Sequence, residues 1–368
     1  MAQTRIYFGH EPSGPDMTMA AAVTCSISAT GALTTSITMA SAPALSISTA
    51  AALTTAIPLA AAMSVSINSA GAISTQITFA SALTLSITAT GALTTEIRMA
   101  AAISVSINTA AALTTSITMA SAMSLSITAT AAITTAIRFA SAVTVSINGV
   151  GALSTAIPMA GAMTLSISSV GALTTSITMA SASSLTINAA GDLFVSSGLV
   201  SAVTLSLSAV GALSTQIQMA SAVSLSINAA AALTTAIPLA SAVSVSLSTA
   251  ADLNTAITLA SALTIAMAGT GALATAIHLA SALPISLSIV APLTTGITFA
   301  SSMTLSISVT GEVSMGISST VGVVVVLSAL AQVPALQTTL AFWQLSAPAQ
   351  IQELDAPVSH LLLERGVL

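Results

Sequence analysis

Three histidines, one cysteine, nine carboxylates and four guanidinium groups are the whole supply of acid–base and metal-binding side chains in 368 residues. His10, His278 and His360 stand far apart, and none has a carboxylate or a thiol at a metal-ligand spacing. A catalytic triad would have to be assembled from residues hundreds of positions apart, with no acid in the central region placed to orient a base. Serines abound, but a serine without an adjacent base is a poor nucleophile. Cys25, being alone, rules out a disulfide framework, and no Cys/His cluster exists to hold zinc. Nor does a phosphate-cradling glycine loop occur between a strand and a helix. Glu96 and Arg98 are two residues apart, close enough on an extended strand for a surface ion pair of small worth. The expectation is a chain with no enzyme activity, no cofactor and no bound metal.

Composition narrows the classes further. Charged residues make up 4% of the chain, against roughly 25% in ordinary soluble domains. Lysine is absent, the cations are Arg5, Arg98, Arg138 and Arg365, and the net charge is −5. No basic surface exists to neutralise phosphates, so nucleic-acid binding is excluded. Mean hydropathy is +1.03, yet Ser or Thr interrupts the apolar residues every few positions from Ala21 to Thr310. No run approaches the ~18 apolar residues of a membrane helix; the longest, Val321 to Ala331, is closed by Gln332 and Pro334. No membrane span is expected. The first residues carry no apolar core of a secretory signal, so export by a cleaved signal is not expected either.

Those scattered side chains must be positioned by what fills the rest of the chain, a tandem repeat. A 20-residue unit runs in constant phase fifteen times over 21–320. Its first decad resembles SAVSLSINAA (221–230) and its second GALTTSITMA (31–40 and 171–180). Bulky apolar residues alternate with Ser, Thr or Ala, a period of two that fits a strand with one buried face and no 3.6-residue helix. The repeat length is even, so residue parity reports the face. Every charged residue, His, Asn and Gln from 21 to 310 is even-numbered, fifteen of fifteen, among them Asn68, Gln76, Glu96, Arg98, Arg138, Asp192, Asp252 and His278. The even face is solvent and the odd face is core. Cys25, odd-numbered, reads as a small core residue.

Each decad leaves six or seven residues of strand and about three of turn, without the Asn-Gly or Asp-Gly of tight hairpins. The fold class expected is therefore all-β, a parallel β-solenoid with two strands per 20-residue repeat. A single chain or an intertwined trimer sharing one apolar interior satisfies the pattern equally. Stacked at about 4.8 Å per strand, fifteen turns give a shaft on the order of 70 Å. Four features stand out. The fifth residue of the second decad is inward yet Thr in thirteen of fifteen copies, Thr35 to Thr295, so its hydroxyls need partners in the backbone or the next turn. Pro58, Pro158 and Pro238 share position 8 of that decad, where a strand end is expected. Asn68, Asn108, Asn148, Asn188 and Asn228 recur every 40 residues, either from duplication of a two-turn block or from a 40-residue coil. Finally, 191–200 is degenerate, with Phe194 on the even face.

Three domains follow: an N-terminal attachment or cap segment, 1–20; the β-repeat shaft, 21–320; and a C-terminal cap or docking segment, 321–368. Tyr7 and Phe8, with Phe342 and Trp343, are the candidate attachment or docking residues, since large aromatics serve both cores and interfaces. The last decad, Val358 to Arg365, reads as helix-like.

The Thr4-Arg-Ile-Tyr-Phe8 segment beside the SAVSLSI/GALTTSI array over about 80% of the chain resembles fibre and spike proteins of tailed bacteriophages. That resemblance implies a structural virion protein, homotrimeric, joined through one terminus to other virion structural proteins and touching a host-surface receptor. It also implies assembly in the host cytoplasm and release by lysis. A second resemblance, carried by Thr34, Ser36, Thr38 and by Ser26, Ser46, Ser66, is to ice-binding solenoids, whose hydroxyls form a two-dimensional grid. A transmembrane β-barrel and a self-stacking sheath are the remaining readings.

Overall fold

The computed structural model describes residues 3–8, 17–19, 24–39, 44–60, 63–80, 83–100, 103–120, 123–140, 143–161, 163–180, 183–200, 203–220, 223–240, 243–259, 263–280, 283–290, 292–299, 303–310, 313–319, 323–329, 332–333, 335–337, 342–345, 350–351, 354–355 and 360–363. These residues contain strands and bends and no helix. The chain divides into two units, Met1–Leu185 and Thr186–Leu368.

Within the first unit, second-decad strands stack on second-decad strands. Leu93–Met99 lies between Ile73–Phe79 and Leu113–Met119. First-decad strands form the other sheet, with Ile103–Thr109 between Leu83–Ala89 and Met123–Ala129. The second unit repeats the arrangement, for example Val223–Ala229 on Val243–Thr249 and Leu253–Leu259 on Leu273–Leu279. Within each unit the paired residues of the repeat lie twenty positions apart, as in Leu93 with Leu113 and Thr95 with Thr115, and Leu253 with Leu273. The fold is thus a parallel β-solenoid of about 20 residues and two strands per turn, and one chain supplies both sheets. The Asn residues fall on every second turn, so a 40-residue coil is ruled out. Outer-membrane barrels are antiparallel, whereas every pairing among the described strands is parallel. No helix of the described residues is long and apolar enough to cross a membrane.

Parity reports the face as the alternation requires. Ile97, Ile117, Leu113, Leu125 and Ile127 are 0–2% exposed and their odd-numbered equivalents are buried too, while even positions of the same strands face outward, so that Leu113–Met119 alternates buried and exposed residues along its length. The sheets converge in a definite order. A Cβ on Gly149 would meet Ile133 Cδ1 at 3.2 Å, so position 9 of the first decad faces position 3 of the second. Thr255 Oγ1 lies 3.9 Å from Met267 Sδ, so position 5 of the second decad faces position 7 of the first. Small residues (Ala129, Gly149, Ser169) oppose Leu or Ile at that corner, giving way to Ile289 and Val309 in the last turns.

Two expectations are corrected. The prolines are not strand ends. Pro58, Pro158 and Pro238 are the sixth of seven residues in Leu53–Leu59, Leu153–Met159 and Leu233–Leu239. The amides explain the tolerance. Even residues donate to the preceding turn (Ala120 N to Met99 O, 3.1 Å) and odd ones to the following turn (Leu33 N to Ala52 O, 2.9 Å). A proline at an even position therefore interrupts only the ladder behind it. Pairing there skips the proline and the residue before it, while the ladder ahead is continuous. Second, the C-terminal decad is not helical where described. His360–Leu363 is a strand parallel to Phe342–Leu345, which pairs with Val323–Ala329 at an 18-residue offset. At the other terminus Gln3–Phe8 pairs with Thr24–Ala29 at an offset of 21. The degenerate decad also keeps its strand, Leu193–Leu199, in register with Leu213–Met219.

Candidate functional site

Parity and repeat length together build two outer faces of different chemistry. In each unit the first-decad strands, from Thr24–Ala29 to Met163–Ser169 in the first and from Val203–Ala209 to Met303–Val309 in the second, present three outward positions each, as does Ser183–Ala189. All of these are Ser, Thr or Asn except Ala44, Ala266, Ala268 and Pro284. Neighbours along a column are about 4.8 Å apart and neighbours across a strand about 6.7 Å, the strand spacing and twice the residue rise. Among the described residues from 24 to 309, Glu96, Arg98, Arg138, Asp192, Asp252 and His278 carry the titratable outward side chains, and all six belong to second decads. The first-decad face is uncharged, and it is the candidate site.

The second-decad face is mixed. Arg98 Nε donates to Glu96 Oε1 at 2.8 Å, and Gln76 Nε2 donates to Glu96 Oε2 at 3.1 Å across the turn. With Arg98 64% and Glu96 38% exposed, this cluster is solvated and weak. Asp192 and Asp252 sit at corners, where each Oδ1 accepts the backbone N–H of the next turn (Ala212 and Ala272, both 2.9 Å). Phe194 (52% exposed) and the corner valines, such as Val150 and Val210, point to solvent. His278 stands in register with Thr258 and Thr298, outward and apart from any acid in those strands. Among the described residues no group of three His, Cys, Asp or Glu lies close enough to hold a metal ion. Cys25 is fully buried in the core, and that burial pushes its thiol pKa up.

Inside, the threonine column is as buried as its parity demands, 2–7% exposed from Thr35 to Thr295. Thr275 Oγ1 donates to Thr295 Oγ1 at 2.7 Å, while the hydroxyls of Thr55, Thr75, Thr95, Thr115, Thr135, Thr155, Thr175, Thr215 and Thr235 have no partner. In the degenerate decad Val195 takes the threonine position and Ser197 carries the buried hydroxyl one inward place later. An unsatisfied buried hydroxyl costs about 1–3 kcal/mol. Several together would rival the net stability of an ordinary domain, about 5–15 kcal/mol.

The sequence reading missed a second set of hydroxyls. Thr90, Thr130, Thr270 and Thr310, at the corner after the first-decad strand, each donate to a carbonyl of the preceding turn, as Thr130 does to Ala110 O at 2.6 Å. Just inside the corner Thr49 Oγ1 donates to Ser69 Oγ at 2.9 Å. The available signal was position 10 of the first decad, where Thr alternates with Ala and Val.

The candidate docking residues fall at opposite ends of the sequence and on different registers. Tyr7 aligns with Ser28 of an outward column and Phe8 with Ala29 of the inward column beside the corner. Phe342 aligns with Val324 and Trp343 with Val325, which in turn align with exposed Thr304 and buried Leu305. Comparison with family models, with curated proteins and with solved structures returns no match.

Proposed function

We propose that this chain is a non-catalytic structural fibre, the shaft of an appendage on a tailed-phage virion, assembled as a homotrimer in the host cytoplasm and released by lysis. The observation that supports a structural role is the twenty-residue register of the repeats within each unit, in which each turn lays like residues on like with alternating buried and exposed faces. Such a body sets length by turn number and needs only its ends to differ. In this reading Tyr7 and Phe8, or Phe342 and Trp343, join the shaft to other virion proteins, and the opposite end meets a host-surface receptor. Imaging by negative stain with mass determination on the full chain tests it. Rods of about 70 Å at three times the chain mass are expected; a monomeric particle of any other form overturns the trimeric fibre.

One observation favours a second reading, an ice-binding solenoid: the uncharged three-column Ser/Thr/Asn face described above. Thermal hysteresis measured on the wild type and on Ser126→Arg checks it. If the face binds ice, the arginine abolishes hysteresis while leaving the fold intact; no hysteresis in the wild type removes this reading.

A further inference from the structure

We infer that the buried threonines, most of whose hydroxyls stand here without a partner, pair two by two by turning neighbouring rotamers toward each other as Thr275 and Thr295 do, so that the structural unit of the shaft is two turns, forty residues, rather than one.

The register gives the reason. Equivalent atoms on successive turns repeat at the strand spacing, about 4.8 Å, which is too far for a hydrogen bond. A column of identical rotamers therefore satisfies no hydroxyl. If two neighbours turn their Oγ1 atoms toward each other, each gains a partner, one donating and one accepting, as Thr275 donates to Thr295 at 2.7 Å. Their backbone register is that of Thr115 with Thr135 and of Thr155 with Thr175. Water is a poor alternative where the core is closed, and Thr255 Oγ1 meets Met267 Sδ directly across it. An oxygen turned toward one neighbour is turned away from the other, so the column divides two by two.

Phase is fixed by the observed pair. The opposite phase would set Thr295 against Met315, its register partner on the other side, which offers no hydroxyl. The phase set by Thr275 and Thr295 reaches only to Val195, which interrupts the column; in the first unit the eight threonines from Thr35 to Thr175 pair without remainder only if Thr75 meets Thr95, Thr115 meets Thr135 and Thr155 meets Thr175. An independent feature carries the same period and phase. On the outer face Asn68, Asn108 and Asn148 alternate with Thr88, Thr128 and Ser168. Each Asn precedes, in the same turn, the leading threonine of a pair: Thr75, Thr115 and Thr155. Duplication of a two-turn block, which the asparagines record, would preserve such pairs, whereas duplication of a single turn would break them.

The test is a double-mutant cycle in the full chain, read as the midpoint of urea unfolding. Thr115→Val or Thr135→Val alone orphans a buried hydroxyl and lowers the midpoint. The double variant T115V/T135V removes both members of one pair and recovers most of the loss. T135V/T155V, equally adjacent but drawn from two pairs, loses the sum. Equal behaviour of the two doubles, or single valines that raise the midpoint, overturns the pairing. Should valine variants aggregate, deletions decide. Removing 101–140 excises a whole pair and is expected to leave the midpoint near wild type, whereas removing 101–120 orphans Thr135 and lowers it. A common shift for both deletions overturns the inference.

Discussion

A threonine is nearly the shape of a valine, and at an inward position valine would be the cheaper residue. What separates them is one hydroxyl, neutral when paired and costly when not. The core around it is unforgiving: Ile117→Ala, at a fully buried site, is expected to cost about 2–5 kcal/mol, measured by chemical denaturation. Cys25 gives a residue-scale test of pH. Its thiol is buried and its pKa raised by desolvation. The unfolded chain loses that proton first, near the ordinary value of about 8.5. The neutral buried thiol therefore contributes its full stability below that pH, and the contribution falls away as pH rises toward the folded value. Urea midpoints from pH 7 to 10 should fall more for the wild type than for Cys25→Ala. A thiol reagent should label Cys25 only on unfolding.

At the scale of a strand, alternation governs hydrogen bonds as well as side chains. Thr118 occupies the position held by proline in other turns, and its amide serves the preceding turn alone. Thr118→Pro should cost about 1 kcal/mol, one net backbone hydrogen bond. Ile117→Pro, one residue earlier, places the ring in the core and breaks the forward ladder, at about 3 kcal/mol or more. Amide exchange localises each loss to the turn before or after. Strand positions and buried faces were legible in the sequence because a two-residue side-chain period inside an even repeat leaves parity fixed from Asn68 to His278. The prolines were misjudged because a composition pattern shows that an amide is missing without showing which neighbour it would have served. The last decad was misjudged because Leu361, Leu362 and Leu363 carry no alternation; a parallel partner three strands back, at a shortened offset, makes them a strand. The uncharged face was legible as a serine column, but its contrast with the other sheet required knowing that like decads stack.

For the molecule as a whole, scarcity of charge sets the response to solution conditions. The ion pair of Glu96 and Arg98 is largely solvated, so Glu96→Gln should change stability by under about 1 kcal/mol. Melting temperature should be nearly flat between 0.05 and 1 M salt, because there is little to screen. A pronounced salt dependence would mean that charges outside the described residues matter. The twenty-residue register also bears on how the chain acquires its structure. All-β proteins are slow to fold when strands must find partners far along the sequence, and relative contact orders near 0.2 are usual for them. Here a strand's partner is about twenty residues away whatever the chain length, which brings the ratio to roughly 0.05, below even the roughly 0.07–0.12 of helical bundles. At a synthesis rate of about 5–20 residues per second, a ribosome releases enough polypeptide for one more turn every few seconds, and its docking surface is already in place on the turn before it. The nascent chain never has to hold more than a strand or two of unpaired hydrophobic sequence.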